Sequence, residues 1–352
     1  MTATMRWRSP EADVSASALL REGPAAADHT QFARSLQAAA SDAHRGRVFA
    51  ALPFHRDEAS TIVVPTGPEP DRRTSAPSAF LDGGESSPDD YRDGVRLLLD
   101  AFADGDVEKA VLARYRDLSC TEPCDPLAIA ARLAADHPAA YVFALPVADA
   151  RHLVGASPEL LIAKSGTSVR SHPLAGSARR SPDAATDRAH ADALNSSEKD
   201  RREHAYVVEA ICDILTPYCA RLTVPEPGLL GTDSMWHLGT EITAELRDPD
   251  VSVSELAALL HPTPAVCGTP RSAAYDLISE AESFDRGFFA GAVGWADTRG
   301  DGEWAVSIRC GDVWSDRIRA YAGAGIVVGS DPEAELAETS GKLSTFLAAV
   351  SA

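Results

Sequence analysis

Four carboxylates and a lysine stand at helical spacing in two segments far apart in the chain. Asp200 and Glu203 follow Ser197-Glu-Lys; Glu335, Glu338 and Lys342 follow Ser330-Asp-Pro-Glu. Residues three or four apart share a helix face. Carboxylate oxygens with coordination positions left for water suit magnesium rather than zinc. On spacing alone the same residues are better described as solvated acidic faces favoured by the helix dipole, with Glu338 and Lys342 as a surface pair. Both segments open with a capping box, Ser197 with Asp200 and Ser330 with Glu333, and the second has Pro332 in its first turn;. Apolar stripes then follow: Val208, Ile211 and Leu215 in the first, Leu336, Leu343, Phe346 and Val350 in the second;.

The elements that must position these residues form a mixed pattern. A helix is expected after Phe32 and strands at 48–54 and 60–64. Residues 67–90 are dense in Pro, Gly, Ser and Asp and read as loop;. A helix is expected over 90–104, a turn at Asp104-Gly105-Asp106, a strand over 109–118 and a helix over 126–135. Strands are expected at 139–145, 152–156, 160–164, 291–296, 304–310 and 318–322. Runs of strands joined by short turns predict an α+β fold with largely antiparallel sheets. Residues 1–30 show weak periodicity and read as a mobile tail, leaving one domain over 31–352 whose motif-bearing core is 90–350. The run Gly323-Ala-Gly325-Ile-Val-Val-Gly329 is not a dinucleotide fingerprint: its spacing is wrong and no βαβ unit surrounds it;.

The chain has 352 residues with 33 basic and 52 acidic side chains, a formal net charge of −19. That sign opposes nucleic acid and anionic membranes, and no stretch is long and apolar enough to span a bilayer. It also opposes an anionic substrate, which would need a metal or a local cationic patch. Residues 1–23 lack the apolar core and cleavage site of a signal peptide, so a cytoplasmic protein is expected. The six cysteines follow no zinc spacing and read as reduced thiols;.

Further segments run in order along the chain. They include Lys109-Ala-Val-Leu-Ala-Arg114, Ala156-Ser-Pro-Glu159, His172-Pro-Leu-Ala-Gly176-Ser-Ala-Arg-Arg180 and Ser197-Glu-Lys-Asp-Arg-Arg-Glu203-His204. Trp236-His237-Leu, His261-Pro-Thr-Pro-Ala-Val-Cys-Gly-Thr-Pro270, Phe284-Asp-Arg286, Ser307-Ile-Arg309-Cys, Ala322-Gly-Ala-Gly-Ile326 and Glu338-Thr-Ser-Gly-Lys342 follow. Together they resemble the chorismate-utilising enzymes over residues 90–350, and most resemble the isochorismate synthases of siderophore pathways that feed 2,3-dihydroxybenzoate. The resemblance implies a single domain of two mostly antiparallel sheets flanked by helices, usually monomeric, acting on chorismate with Mg2+. Water would add at C2 as the C4 hydroxyl leaves.

It further implies Lys109 as the base and Glu159 as the general acid. Glu203 and Glu338 would be direct magnesium ligands, with Asp200 and Glu335 around them. Arg309 and Lys342 would hold a substrate carboxylate, and Gly176, His237, Ala265, Val266, Gly323 and Gly325 would contact the substrate. A base needs a neutral amine, which burial favours, and an acid needs a carboxyl kept neutral by burial. Other members of the family are salicylate synthases, which go on to eliminate pyruvate, and enzymes that use ammonia. A non-catalytic chorismate-binding relative is a further alternative, whose sign would be loss of Lys109 or Glu159.

Overall fold

Buried alternation begins at the N-terminus of the computed structural model, which describes residues 2–351 apart from 69–79, 104, 106 and 233. The expected mobile tail is instead a hairpin of β1 (Thr2–Arg8) and β2 (Asp13–Ala25). Met5 and Trp7 are fully buried. The sequence signal is weak because the hairpin is held on both edges: β1 also pairs with residues 142–144 and β2 with residues 59–68. Strand propensity counts for less than such neighbours.

Helix α1 (His29–Asp42) starts at Asp28, whose carboxylate accepts from the Gln31 N–H at 3.0 Å;. Strands β3 (Arg47–Leu52) and β4 (Ala59–Pro68) fall where expected. The polar stretch read as loop contains β5 (Phe80–Glu85), an exposed strand that needs no apolar pattern because its backbone pairs with β6 and Asp82 and Glu85 pair with Arg116 and Arg114. Residues 69–79 of that stretch, and Asp104 and Asp106 of the expected turn, lie outside the described residues.

Helix α2 (Pro88–Ala103) leads into β6 (Lys109–Cys120), and α3 (Pro126–Asp136) is capped by Asp125. Strands β7 (Tyr141–Val147), β8 (Arg151–Ser157), β9 (Leu160–Ser165) and β10 (Ser168–His172) follow through short turns. After β11 (Leu174–Arg179) come α4 (Ala184–Ser196) and α5 (Glu198–Leu215). Next are β12 (Cys219–Thr223), β13 (Gly228–Gly231), β14 (Met235–Gly239), β15 (Ile242–Leu246) and α6 (Val253–Leu260). The short β16 (Gly268–Thr269) and α7 (Arg271–Ala281) precede β17 (Ala292–Asp297), β18 (Gly302–Val306) and β19 (Cys310–Val313). The chain ends with β20 (Arg317–Val327) and α8 (Pro332–Ser351).

The result is the expected α+β fold with two antiparallel sheets, of unequal size: a network of 17 strands and a separate sheet of three, β11-β14-β13. β6 and β20 pair along their length, with Lys109 opposite Val327 and Val111 opposite Gly325. One apolar core fills the large sheet around Phe32, Phe49 and Trp304. A second lies where α3 and α8 cover β7, β8 and β20. Among the described residues no helix is long and apolar enough to cross a membrane.

Two further readings are corrected. Cys120 and Cys124, taken as thiols, form a disulfide, because the chain turns after β6 and brings their Cα atoms to 6.4 Å; Cys212, Cys219, Cys267 and Cys310 are free. The cap of α8 is Asp331, not Ser330: its carboxylate accepts from the N–H groups of Glu333 and Ala334 at 3.1 and 2.9 Å. Ser330 instead accepts from the Val327 N–H, closing the turn out of β20.

Candidate active site

The start of α5 is set by Ser197, which accepts from the Asp200 N–H at 3.2 Å as the capping pattern predicts;. One turn later Glu203 points inward and is only 8% exposed. Glu335, on α8, is 2% exposed. Neither is the solvated surface residue that spacing alone allowed. Each inward carboxylate holds a lysine. Glu203 faces the Lys109 ammonium at 3.1 Å, Glu338 faces Lys342 at 2.7 Å and Glu335 faces Lys199 at 2.7 Å.

These carboxylates act on one another. Burial raises the Asp200 carboxyl above its usual range, and the charges of Glu203 and Glu338 add to the effect. Glu335 is raised by burial and by Glu338. Burial also opposes the charge of Glu338, but Lys342 and the Ser177 hydroxyl at 2.8 Å win and hold it below the usual value;. Oxygen-only donors crowded this way fit a hard cation. As they stand, no three metal-binding side chains converge among the described residues; the lysines occupy the glutamates.

Lys109, the first residue of β6, is fully buried. Its contact with Glu203 is an ion pair without hydrogen-bond alignment, so the amine nitrogen lacks a hydrogen-bond partner among the described residues. Buried polar groups in that condition call for a ligand or water. Glu159, 2% exposed, follows Pro158 at the end of β8 and is pinned by its own backbone: its N–H donates to Ser157 and its carbonyl accepts from Val306. Burial pushes its carboxyl up to about 7, against the Leu174 N–H and the charges of Lys109, Arg309 and Lys342.

Arg309 does not lie in a strand as its alternation suggested. The strand breaks between β18 and β19, and Arg309 adopts φ 52°, a left-handed conformation rare for a residue with a Cβ;. Its carbonyl accepts from the Ala156 N–H. Its guanidinium makes no hydrogen bond or close ion pair among the described residues, and burial lowers it to about 10. His237, on β14, is 6% exposed, and burial with Arg309 and Lys342 nearby lowers it to about 3, so the ring is neutral. Its Nε2 has no partner among the described residues.

Two glycines have steric reasons. Gly176 takes φ +78° at a bulge between β11 and β14, where a Cβ would meet the Cβ of Asp200 at 3.0 Å;. Gly325 makes room for a side chain as well as for any ligand: a Cβ there would stand 2.1 Å from a Glu203 oxygen. Gly323 supplies a carbonyl to Lys342 at 2.9 Å.

One cavity of about 60 Å³ gathers most of these groups, with Glu159, Gly176, Glu203, His237, Arg309 and Lys342 in its wall. Ala265, Val266, Gly323, Gly325 and Glu338 complete that side of it. Asp200, Glu335 and Lys109 stand behind the wall, the last through Glu203. Sequence reasoning missed the roles of Ser177 and Lys199. Ser177 and Lys199 are neighbours of named motif residues, but nothing local says that they face carboxylates on α8.

A carboxyl raised to about 7, a buried lysine, two cations and a crowded set of carboxylates meet at one cavity. Residues 56–351 match the family described as chorismate binding enzymes. The chain belongs to that family.

Among its relatives, the isochorismate synthase DhbC of Bacillus subtilis (strain 168) is 45% identical over 330 residues, covering 89% of this chain and 83% of that protein. The vibriobactin-specific isochorismate synthase of Vibrio cholerae is 45% identical over 75% of this chain and 68% of its own length. The crystal structure of DhbC from Bacillus anthracis superposes with a TM-score of 0.90 at 38% identity, covering 99% of this chain and 96% of that one.

Proposed function

We propose that the chain is an isochorismate synthase, an isomerase that converts chorismate to isochorismate for 2,3-dihydroxybenzoate and siderophore synthesis. The observation that carries the mechanism is Glu159: a buried carboxyl held near pH 7 in the wall of the same cavity as Arg309 and Lys342.

Arg309 offers a free bidentate fork for one substrate carboxylate. Lys342 can join it by leaving Glu338 for the ligand. Lys109, once Glu203 turns away and its ammonium has released a proton to solvent, is a neutral amine that takes a proton from the water whose oxygen bonds to C2. The double bonds shift, the C4–O bond breaks, and Glu159 donates its proton to the departing hydroxyl so that it leaves as water. Atoms balance: one water enters and one leaves. Neutral His237, with Nε2 unpartnered, can accept a hydrogen bond from a substrate hydroxyl;.

Glu203 and Glu338 would hold Mg2+, with Asp200 and Glu335 accepting from its waters. When bound, the ion neutralises and orients the other substrate carboxylate. The chain works as a cytoplasmic monomer on this small molecule.

Incubation with chorismate and Mg2+, followed by product separation, tests this. Isochorismate alone is expected. Chelation should abolish turnover and added Mg2+ restore it. Salicylate with pyruvate, or product only with ammonium, would refute the assignment.

A further inference from the structure

The active cavity has a neighbour. A second cavity of about 320 Å³ lies beside it, and the two share Pro158 and Arg309 in their walls. Small-molecule sites usually enclose roughly 300–1,000 Å³. The inner cavity, with its lysines folded onto its glutamates, is far smaller than that. The outer one is large enough for a substituted ring as it stands.

Its lining suits a ring-bearing carboxylate. Ala140, Tyr141, Leu160 and Leu230 offer apolar surface, with Arg170 and His172 on β10 among them. Arg170 is 43% exposed, and its ion pairs with Glu11 and Glu241 are loose, at 3.7 and 3.8 Å. Arg309 is half-buried and has no hydrogen bond or close ion pair of its own among the described residues. The outer cavity therefore has one cation reachable from solvent and another in the wall it shares with the active cavity. Glu241 also lines the cavity and pairs loosely with Arg170, so in a chain of net charge −19 an entering anion competes with that carboxylate for the guanidinium before it reaches Arg309;.

We propose that this outer cavity is the loading compartment of the active site: a ring-bearing carboxylate enters past Arg170, and Arg309 passes it into the inner cavity. The same route serves the product. This rests on the reading of the chain as a chorismate enzyme and adds where the ligand goes first.

The test is stopped-flow association and dissociation of chorismate by tryptophan fluorescence, with Mg2+ present. Leu230→Trp, which fills the compartment, should slow both association and dissociation by about tenfold while Kd stays within about twofold. Leu230→Ala should leave association as fast as in the parent chain. Arg170→Glu should slow association at low ionic strength, with the difference shrinking in high salt. Thermal unfolding of each variant checks the fold. Unchanged association in both Leu230→Trp and Arg170→Glu overturns the proposal. So does weaker affinity in Leu230→Trp with an unchanged association rate, which is the mark of ordinary contact loss. Binding by the parent chain without isochorismate formation would sink the proposed activity and leave the loading test readable. Absence of chorismate binding would sink both.

Discussion

Glu159 and Lys109 are both buried, with opposite electrostatic problems. Glu159 has its carboxyl raised from 4.5 to about 7 by burial. The active form is the protonated one, so kcat/KM should fall as pH rises through about 7, and Glu159→Gln should lose turnover by roughly 10²–10⁴-fold. Stability gives an independent readout. A raised folded value means stability is present in full below 4.5 and is lost as pH rises through 7. The loss is on the order of 3 kcal/mol. Glu159→Gln should remove that pH dependence, so its melting advantage over the parent should grow between pH 4.5 and 7 and then level off. Lys109 instead neutralises Glu203 at 3.1 Å. Lys109→Ala should abolish turnover while chorismate binding survives. It also leaves Glu203 buried without its cation, at a cost of about 3–5 kcal/mol. Added Mg2+ should recover part of that loss in thermal unfolding, because the ion restores positive charge beside the same carboxylate. Full activity in Lys109→Ala would refute its assignment as base.

At the scale of elements, the site depends on how closely β20 and α5 approach. Gly325 on β20 lies against the Glu203 carboxylate of α5, with no space for a Cβ. Gly325→Ala should push Glu203 aside, weakening Mg2+ binding by on the order of 10–100-fold with little change in unfolding temperature; titration calorimetry with the metal alone reads this. A variant that binds Mg2+ normally would place the ion elsewhere. A buried clamp fixes the opposite wall. Arg286 donates to the carbonyls of Val111 and Val266 at 2.6 and 2.9 Å, and Glu282 accepts from both Arg286 and the Ala113 N–H. It ties β6, which begins with Lys109, to the loop that carries Ala265 and Val266. Phe284-Asp-Arg286 was among the motifs in the sequence, but besides the Glu282 side chain the partners of Arg286 are the carbonyls of Val111 and Val266, which carry no sequence signal of their own. The Ser197 cap was legible because its partner is three residues away. The Asp331 cap was misassigned to Ser330 because both residues are good caps and only the path of the turn chooses between them;.

At the scale of the molecule, the N-terminal hairpin is part of the fold. β1 and β2 bury Met5 and Trp7 and extend the large sheet through β4 and β7. Deleting residues 1–25 should therefore expose core and lose cooperative thermal unfolding; a truncated chain that melts like the parent would show the hairpin to be dispensable. The sequence by itself determined the fold class, the chorismate-binding family and the helices that carry the acidic patches, and it named the residues proposed as acid, base and carboxylate sets. It could do so because these rest on local period, caps and ordered motifs. The acidic patches themselves remained open to two readings, solvated face or site. Only the tertiary structure decided that Glu203 and Glu335 face inward, because burial depends on what another segment places opposite. The same holds for the lysine on each glutamate, the left-handed turn at Arg309, the Cys120–Cys124 pairing and the cavity beyond Arg309. Glu203–Lys109, Glu335–Lys199 and the cavity depend on the distance between segments far apart in the chain, whereas Cys120–Cys124 and Glu338–Lys342 are each four residues apart and needed only the local path of the backbone.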